Sequence, residues 1–271
     1  MLTIYSLLFG AIQGLAEFLP VSSSGHLVIL HHFFDLQLGD SLSFDVALHW
    51  GTLAALLIFF WSDIVKLLKA WFGSFRGNSR KSNFEAKLAW MILVATIPAV
   101  IVGFLAEDLL AQYFGSPQSV AIWLIAVGGL FFVLEKVSLK NRSLENISWG
   151  GAIAVGLAQA LALIPGVSRS GITIITGLGQ NLKRADAARF SFLLSIPAVF
   201  GAGLKKFYDL SKVGLPSGEA LLFAVGLVSA ALVGYFCLKY FLKYLENHSL
   251  AIFGWYRIIL GVLVLLLVYY A

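Results

Sequence analysis

The sequence predicts an all-α integral membrane protein, a single membrane domain over residues 1–271 built as an inverted repeat of 1–146 and 147–271. Each half is expected to be a re-entrant helix hairpin followed by three transmembrane helices. Three observations predict this. The chain is 59% hydrophobic and only 12% charged, with a mean hydropathy of +0.89, far from the balance of a soluble domain. Its apolar runs have the length of bilayer spans. Finally, a gapless shift of 146 residues lays Gln13 on Gln159, Leu15 on Leu161, Ala16 on Ala162, Val21 on Val167, Ser22 on Ser168, Ser24 on Ser170 and Gly25 on Gly171. The same register pairs Asp40 with Asp186, Phe44 with Phe190 and Leu48 with Leu194, as an internal duplication would.

Taken in order, apolar segments near residues 1–19, 44–62, 88–105, 119–135, 147–164, 186–204, 219–242 and 250–270 are each long enough to enter or cross a ~30 Å hydrocarbon core. The runs 26–34 and 172–182 are too short to cross, and each follows a Pro- and Gly-containing break. They read as return arms of two hairpins, 1–35 and 147–182. No Lys or Arg precedes Lys66, so a cleaved signal peptide is not expected. The single cysteine, Cys237, has no intramolecular disulfide partner. The net charge of +5 comes from basic residues gathered beside apolar runs, which bilayer orientation explains without nucleic acid.

Charge sets the expected topology. The loop Asp63 to Lys87, with Lys66, Lys69, Arg76, Arg80 and Lys81, is expected in the cytoplasm, the loop at Glu107 and Asp108 outside, and the loop at Lys136, Lys140 and Arg142 inside again. Three crossings per half invert the second half. Its loop 205–219 then lies outside, although Lys205, Lys206 and Lys212 fit that poorly, and the loop Lys239 to His248 lies inside. Backbone broken inside a bilayer is tolerated only where protein or a polar cavity covers it. Hairpins entering from opposite faces would bring Ser22 to His26 beside Ser168 to Thr173.

The residues at those tips carry chemistry. Gln13 and Glu17 share one helical face, which Pro20 interrupts. An ionised Glu in a membrane helix costs about 2.5–3.5 kcal/mol on insertion scales and by default marks a site. The bland alternative is a solvated charge at the helix end. Ser22, Ser23, Ser24 and Gly25 offer hydroxyls and N–H groups to an anion, and His26 offers proton transfer near neutrality. The second turn, Pro165 to Thr173, puts Arg169 where the first has Ser23, among Ser168, Ser170, Gly171 and Thr173. A guanidinium there needs an anion, either a phosphate or Glu17 itself as an ion pair tying the halves together. Glu17 would repel a phosphorylated ligand unless a divalent cation, Mg or Ca, bridged them through Gln13, Glu17 and substrate oxygens.

The run QGLAEFLPVSSSGH from Gln13 to His26, followed by PGVSRSGIT from Pro165 to Thr173, resembles the bacterial undecaprenyl-diphosphate phosphatase family associated with bacitracin resistance. Length and repeat layout are similar too. The resemblance implies a multi-pass enzyme of the bacterial inner (plasma) membrane that removes the terminal phosphate of the wall-synthesis lipid carrier, with its site opening to the outer side. Gln13 and Glu17 fill the two acidic-motif positions. Ile172 replaces a small residue, which bears on packing of the tip. The catalytic set expected is Glu17, Ser23, His26 and Arg169, with Gln13, Ser22, Ser24, Gly25, Ser168, Ser170, Gly171 and Thr173 binding substrate. The nucleophile is Ser23, His26 or a water.

Other features read as supporting. Asp45 and His49, four apart, suggest a polar cluster behind the site rather than a second metal centre. His31 and His32 suggest interface anchoring, Asp186 a helix cap, Arg184 and Arg189 headgroup contacts, and Arg257 snorkelling to the nearer interface. Trp61, Trp71, Trp90, Tyr269 and Tyr270 flank apolar runs like an aromatic belt. The partners expected are a polyprenyl diphosphate lipid and the bilayer, with a homodimer left open. The competing class is a polyprenyl-phosphate transporter or flippase, which would need Arg169 but not the Glu17, Ser23 and His26 set.

Overall fold

A computed structural model describes residues 2–33, 41–75, 83–213 and 220–270, and among them the regular structure is helical throughout. The first arm, α1 (Leu2–Phe18), turns one stripe inward, with Ser6, Phe9, Gly10, Gln13, Gly14 and Glu17 buried. Leu7, Leu8 and Leu15 face outward. That 3.6-residue periodicity puts small and polar residues against protein and large apolar ones against lipid. Pro20 ends the arm, and α2 (Ser23–Phe33) returns.

Next, α3 (Ser41–Phe59) stops at Phe60, and α4 (Trp61–Ser74) leaves it at a bend of 73°. The stretch from Asp63 to Ser74 is therefore helix, not loop; Arg76, Arg80 and Lys81 lie outside the described residues. The chain continues with α5 (Asn83–Phe114) and α6 (Pro117–Val137). Glu107 and Asp108 fall inside α5 instead of a loop; the break comes at Gly115, where Ser116 accepts the N–H of Ser119 as the cap of α6. A short 3-10 turn, Leu144–Asn146, leads into the second hairpin, α7 (Trp149–Leu161) and α8 (Arg169–Gly179). Then come α9 (Arg184–Val213), α10 (Ala220–Asn247) and α11 (Ala251–Tyr270). The expected loops at 205–219 and 239–248 are thus largely helical: α9 runs through Lys205 to Val213 and α10 to Asn247. Residues 214–219 lie outside the described residues.

Five described helices are long and apolar enough to cross a bilayer, and the bent pair α3–α4 would make a sixth. Both hairpin entry arms, α1 and α7, are shorter. Helices from the two halves interlock. Gly10 of α1 lies so close to α10 that a Cβ there would collide with the Gly226 carbonyl oxygen. In the second half, the register-equivalent Gly156 of α7 meets α5 in the same manner, its hypothetical Cβ colliding with the Ala95 carbonyl oxygen. Small residues let helix backbones reach this separation, where dispersion replaces the hydrophobic drive that lipid does not supply. Phe18, Phe60, Phe131, Phe190 and Phe192 fill the centre.

One end of the molecule is tied by ions. Arg184 donates two hydrogen bonds to Glu135 at 2.8 and 2.7 Å, and Glu135 also accepts the Leu250 N–H, joining α6, α9 and α11. Arg189 pairs with Asp63 of α4 at 2.6 Å. The sequence suggests headgroups for both arginines; protein carboxylates take them instead, because the end of α6 and the start of α4 lie beside the start of α9.

Candidate active site

The two tips share one local construction. Ser22 and Ser168 have positive φ of 78° and 73°, and each caps the helix that follows. Ser22 Oγ accepts the Gly25 N–H at 3.2 Å, and Ser168 Oγ accepts the Gly171 N–H at 3.1 Å. A Cβ at either glycine would stand 3.0 Å from its capping oxygen, a second reason for Gly in both SxSG runs. The caps use the third N–H of each helix. The first two, of Ser23 and Ser24 and of Arg169 and Ser170, carry the positive end of the helix dipole with no intrahelical acceptor. Ser170 Oγ donates to the Leu19 carbonyl at 3.2 Å, binding one tip to the other.

Glu17 is the hub. Its carboxylate is 7% exposed and accepts from three donors: Ser23 Oγ at 2.7 Å, Gln13 Nε2 at 3.0 Å and Arg169 Nη2 at 2.8 Å. The expected ion pair between halves is present. Two polar atoms beside it have no partner among the described residues: Gln13 Oε1, on a fully buried side chain, and Arg169 Nη1. A buried polar group left unpaired costs about 1–3 kcal/mol, so both atoms point to a ligand that completes the site.

The structure redistributes the histidines. Sequence spacing puts His26 beside Glu17, but its Nδ1 donates to the Ser22 carbonyl at 2.8 Å, and its Nε2 meets Tyr256 Oη at 2.7 Å. A carbonyl only accepts, so in the neutral ring Nε2 takes the Tyr256 proton and neither nitrogen is left over. The histidine near the carboxylate is His49. Its Nδ1 donates to the Asp45 carbonyl at 2.8 Å, leaving Nε2 3.9 Å from Glu17 Oε2 on a side chain 38% exposed. The Asp45 carboxylate pairs with His31 at 3.3 Å rather than with His49, so His31 braces α2 on α3 instead of anchoring an interface.

Two further expectations change. Thr173 is fully buried and its hydroxyl is spent on the Arg169 carbonyl at 2.6 Å and on Ser191 Oγ at 2.5 Å, so it supports the arginine instead of facing a substrate. Arg257 does not snorkel. It is fully buried, and it donates to the carbonyls of Pro20, Gly166 and Val167. The sequence carries a signal for this: a charge several residues inside an apolar run is expensive enough to demand internal partners. Ile172 is buried in the main core.

Among the described residues, no group of three or more His, Cys, Asp or Glu could hold a metal ion. Gln13 is bonded to Glu17 through its amide N–H, and its orphaned amide oxygen is the kind of donor a hard cation takes.

Comparison with known proteins identifies the family. The family profile described as "Bacitracin resistance protein BacA" matches residues 6–263. A Rubrobacter xylanophilus protein named undecaprenyl-diphosphatase is 45% identical over 260 residues, covering 96% of each chain. Proteins of the same name from Corynebacterium glutamicum and Thermomicrobium roseum are 44% and 40% identical over 269 residues, covering 97% of this chain and 90% and 96% of theirs.

Proposed function

The chain belongs to the bacitracin-resistance BacA family, and from that premise we propose that it is a membrane phosphatase converting undecaprenyl diphosphate to undecaprenyl phosphate and inorganic phosphate. This recycles the lipid carrier of wall synthesis and, by lowering the diphosphate, confers bacitracin resistance. The observation that carries the reading is Glu17 holding the Ser23 hydroxyl and the Arg169 guanidinium at the meeting point of two helix N-termini.

The reaction follows from that arrangement. Ser23 Oγ attacks the terminal phosphorus, its proton passing to Glu17 Oε2 as the new O–P bond forms. The bridging P–O bond breaks, and the lipid phosphate leaves with the electron pair. Arg169 and the free N–H groups of α2 and α8 neutralise charge on the equatorial oxygens, the dominant contribution in phosphoryl transfer. Water then attacks the phosphoserine, restoring Ser23 and releasing phosphate. The alternative nucleophile, His26, has both ring nitrogens committed to Ser22 and Tyr256, which favours Ser23. A divalent cation, Mg or Ca, would sit against Gln13 Oε1 and Glu17, and when bound it would neutralise the diphosphate. Gln13 positions the Glu17 carboxylate through its amide N–H.

The reading extends to orientation. Lys136, Lys140, Arg142, Lys183 and Arg184 gather where α6 meets α9, and that excess of basic residues supports a cytoplasmic placement of this end. With that end inside, the tips are proposed to open to the outer face, as the family resemblance implies. Phosphate release from a polyprenyl diphosphate by purified protein in detergent, with and without chelator, tests the activity. Rapid-quench trapping of a phosphorylated residue tests the covalent step and its nucleophile: phosphate on Ser23 supports the serine attack, phosphate on His26 refutes Ser23 as the nucleophile, and no trapped phosphate refutes the covalent step.

A further inference from the structure

Arg257 is a buried cation without an anion. It is 0% exposed, and among the described residues no carboxylate lies within ion-pair distance of it. Its three hydrogen bonds all go to main-chain carbonyls, at 3.2 Å to Pro20, 2.8 Å to Gly166 and 2.9 Å to Val167. The guanidinium also lies over the Phe131 ring, 5.8 Å from its centroid. These carbonyls belong to both tips, one from the first and two from the second. They lie just before Ser22 and Ser168, the residues whose positive φ turns each chain into its helix.

We propose that Arg257 is the positioning residue of both tips. One guanidinium holds the turn of the first half to the turn of the second, in the register that lets Arg169 reach Glu17 and Glu17 reach Ser23. In a planar trans peptide the C=O and N–H point in opposite directions. Holding these carbonyls on Arg257 therefore fixes the peptide planes of Val21, Val167 and Ser168, which lead directly into the two helix starts. Tyr256, one residue earlier, adds its bond to His26, so a single turn of α11 grips both tips. Charge gives the arginine a second effect. Glu17 and Arg169 balance each other, and among the described residues no carboxylate balances Arg257, which leaves its charge as a net attraction for an anionic ligand at the tips. An isolated buried cation is strongly disfavoured; the carbonyl dipoles offset part of that, and a bound diphosphate would offset more.

This inference rests on the phosphatase reading, so its test combines turnover with a ligand-binding measurement that needs no turnover. Arg257→Lys keeps the charge but lacks the planar fork that spans three carbonyls. Arg257→Met keeps bulk without charge or donors. Each is compared with wild type for thermal unfolding in detergent, for kcat and KM on polyprenyl diphosphate, and for stabilisation by methylenediphosphonate, a non-hydrolysable diphosphate. The expected result is a kcat lower by about a hundredfold or more in both folded variants, the scale of a ~1 Å misplacement of reacting groups. Arg257→Lys should keep KM and the methylenediphosphonate response within about threefold of wild type, and Arg257→Met should lose both. Either folded variant retaining kcat within about threefold of wild type would overturn the positioning role. Failure of both variants to fold would overturn it too, by showing that Arg257 serves the whole fold. If wild type itself releases no phosphate, the phosphatase reading fails; a diphosphonate response that still separates the lysine variant from the methionine variant would leave Arg257 as the organiser of an anion site.

Discussion

Replacing Glu17 by Gln is the sharpest perturbation of the site, because it removes a charge while keeping the shape. The carboxylate accepts three hydrogen bonds at 7% exposure, one of them from Arg169, which is itself only 14% exposed. Glu17→Gln leaves that guanidinium buried without an anion, beside an Nη1 that already has no partner. Breaking a buried pair from one side costs about 3–5 kcal/mol. Arg169→Met in the same background removes the stranded charge, so the double variant should recover at least about 2 kcal/mol of the loss, a coupling found only between groups in contact. The assay is equilibrium unfolding in mixed micelles across wild type, both single variants and the double. Turnover reads out the other half of the argument. The amide that Glu17→Gln introduces can still accept from Ser23 but cannot take its proton, and a lost general base costs about 10²–10⁴-fold in kcat. Two results would refute the reasoning: additive stability losses within about 0.5 kcal/mol, or a Glu17→Gln enzyme keeping more than about a third of wild-type kcat.

The other expectations are smaller. Tyr256→Phe removes one neutral hydrogen bond and His26→Gln disturbs two, each worth about 1 kcal/mol; kcat should fall by roughly tenfold or less in the first and roughly thirtyfold or less in the second, and the double variant should be no worse than the poorer single, as steady-state kinetics will show. His49→Gln should cost about tenfold or less, because 3.9 Å from Glu17 is beyond hydrogen-bond reach; a loss above about a thousandfold would make His49 the principal proton acceptor. Gly10→Ala and Gly156→Ala force a methyl into a carbonyl oxygen on the facing helix. Each should destabilise by about 1–3 kcal/mol, seen as a lower unfolding midpoint, and unchanged midpoints would mean the helices pack further apart. Chelator should suppress turnover, and Gln13→Leu should weaken the restoring cation's apparent affinity about tenfold or more; restoration at unchanged cation concentration would exclude Gln13 as its ligand.

From the chain of residues alone come the class of protein and the candidate site. Apolar runs matched to bilayer thickness predict helices because no other open chain segment can satisfy its backbone in lipid. The repeated VSxSG turns stand out because cap chemistry is local: a serine and the glycine three residues on make the same bond in both halves. Glu17 and Arg169 are legible for a similar reason, since a charge among apolar residues is costly wherever the chain goes. What the sequence leaves open depends on distance in space. Helix ends escape hydropathy, so α5 runs through Glu107 and Asp108 and α9 through Lys205, because intrahelical hydrogen bonds persist where hydrophobicity lapses. Spacing alone makes His26 the candidate neighbour of Glu17 and leaves Asp45 and His49 as a polar cluster behind the site. Only the packing of α3 against α1 brings His49 near, and only α11 draws His26 away. Arg257 shows the limit most plainly. Its charge announces a partner, but the partners are three carbonyls, 237, 91 and 90 residues away along the chain. Every residue has a carbonyl, so nothing in the one-dimensional sequence marks which ones an arginine will find, and the tertiary fold alone decides it.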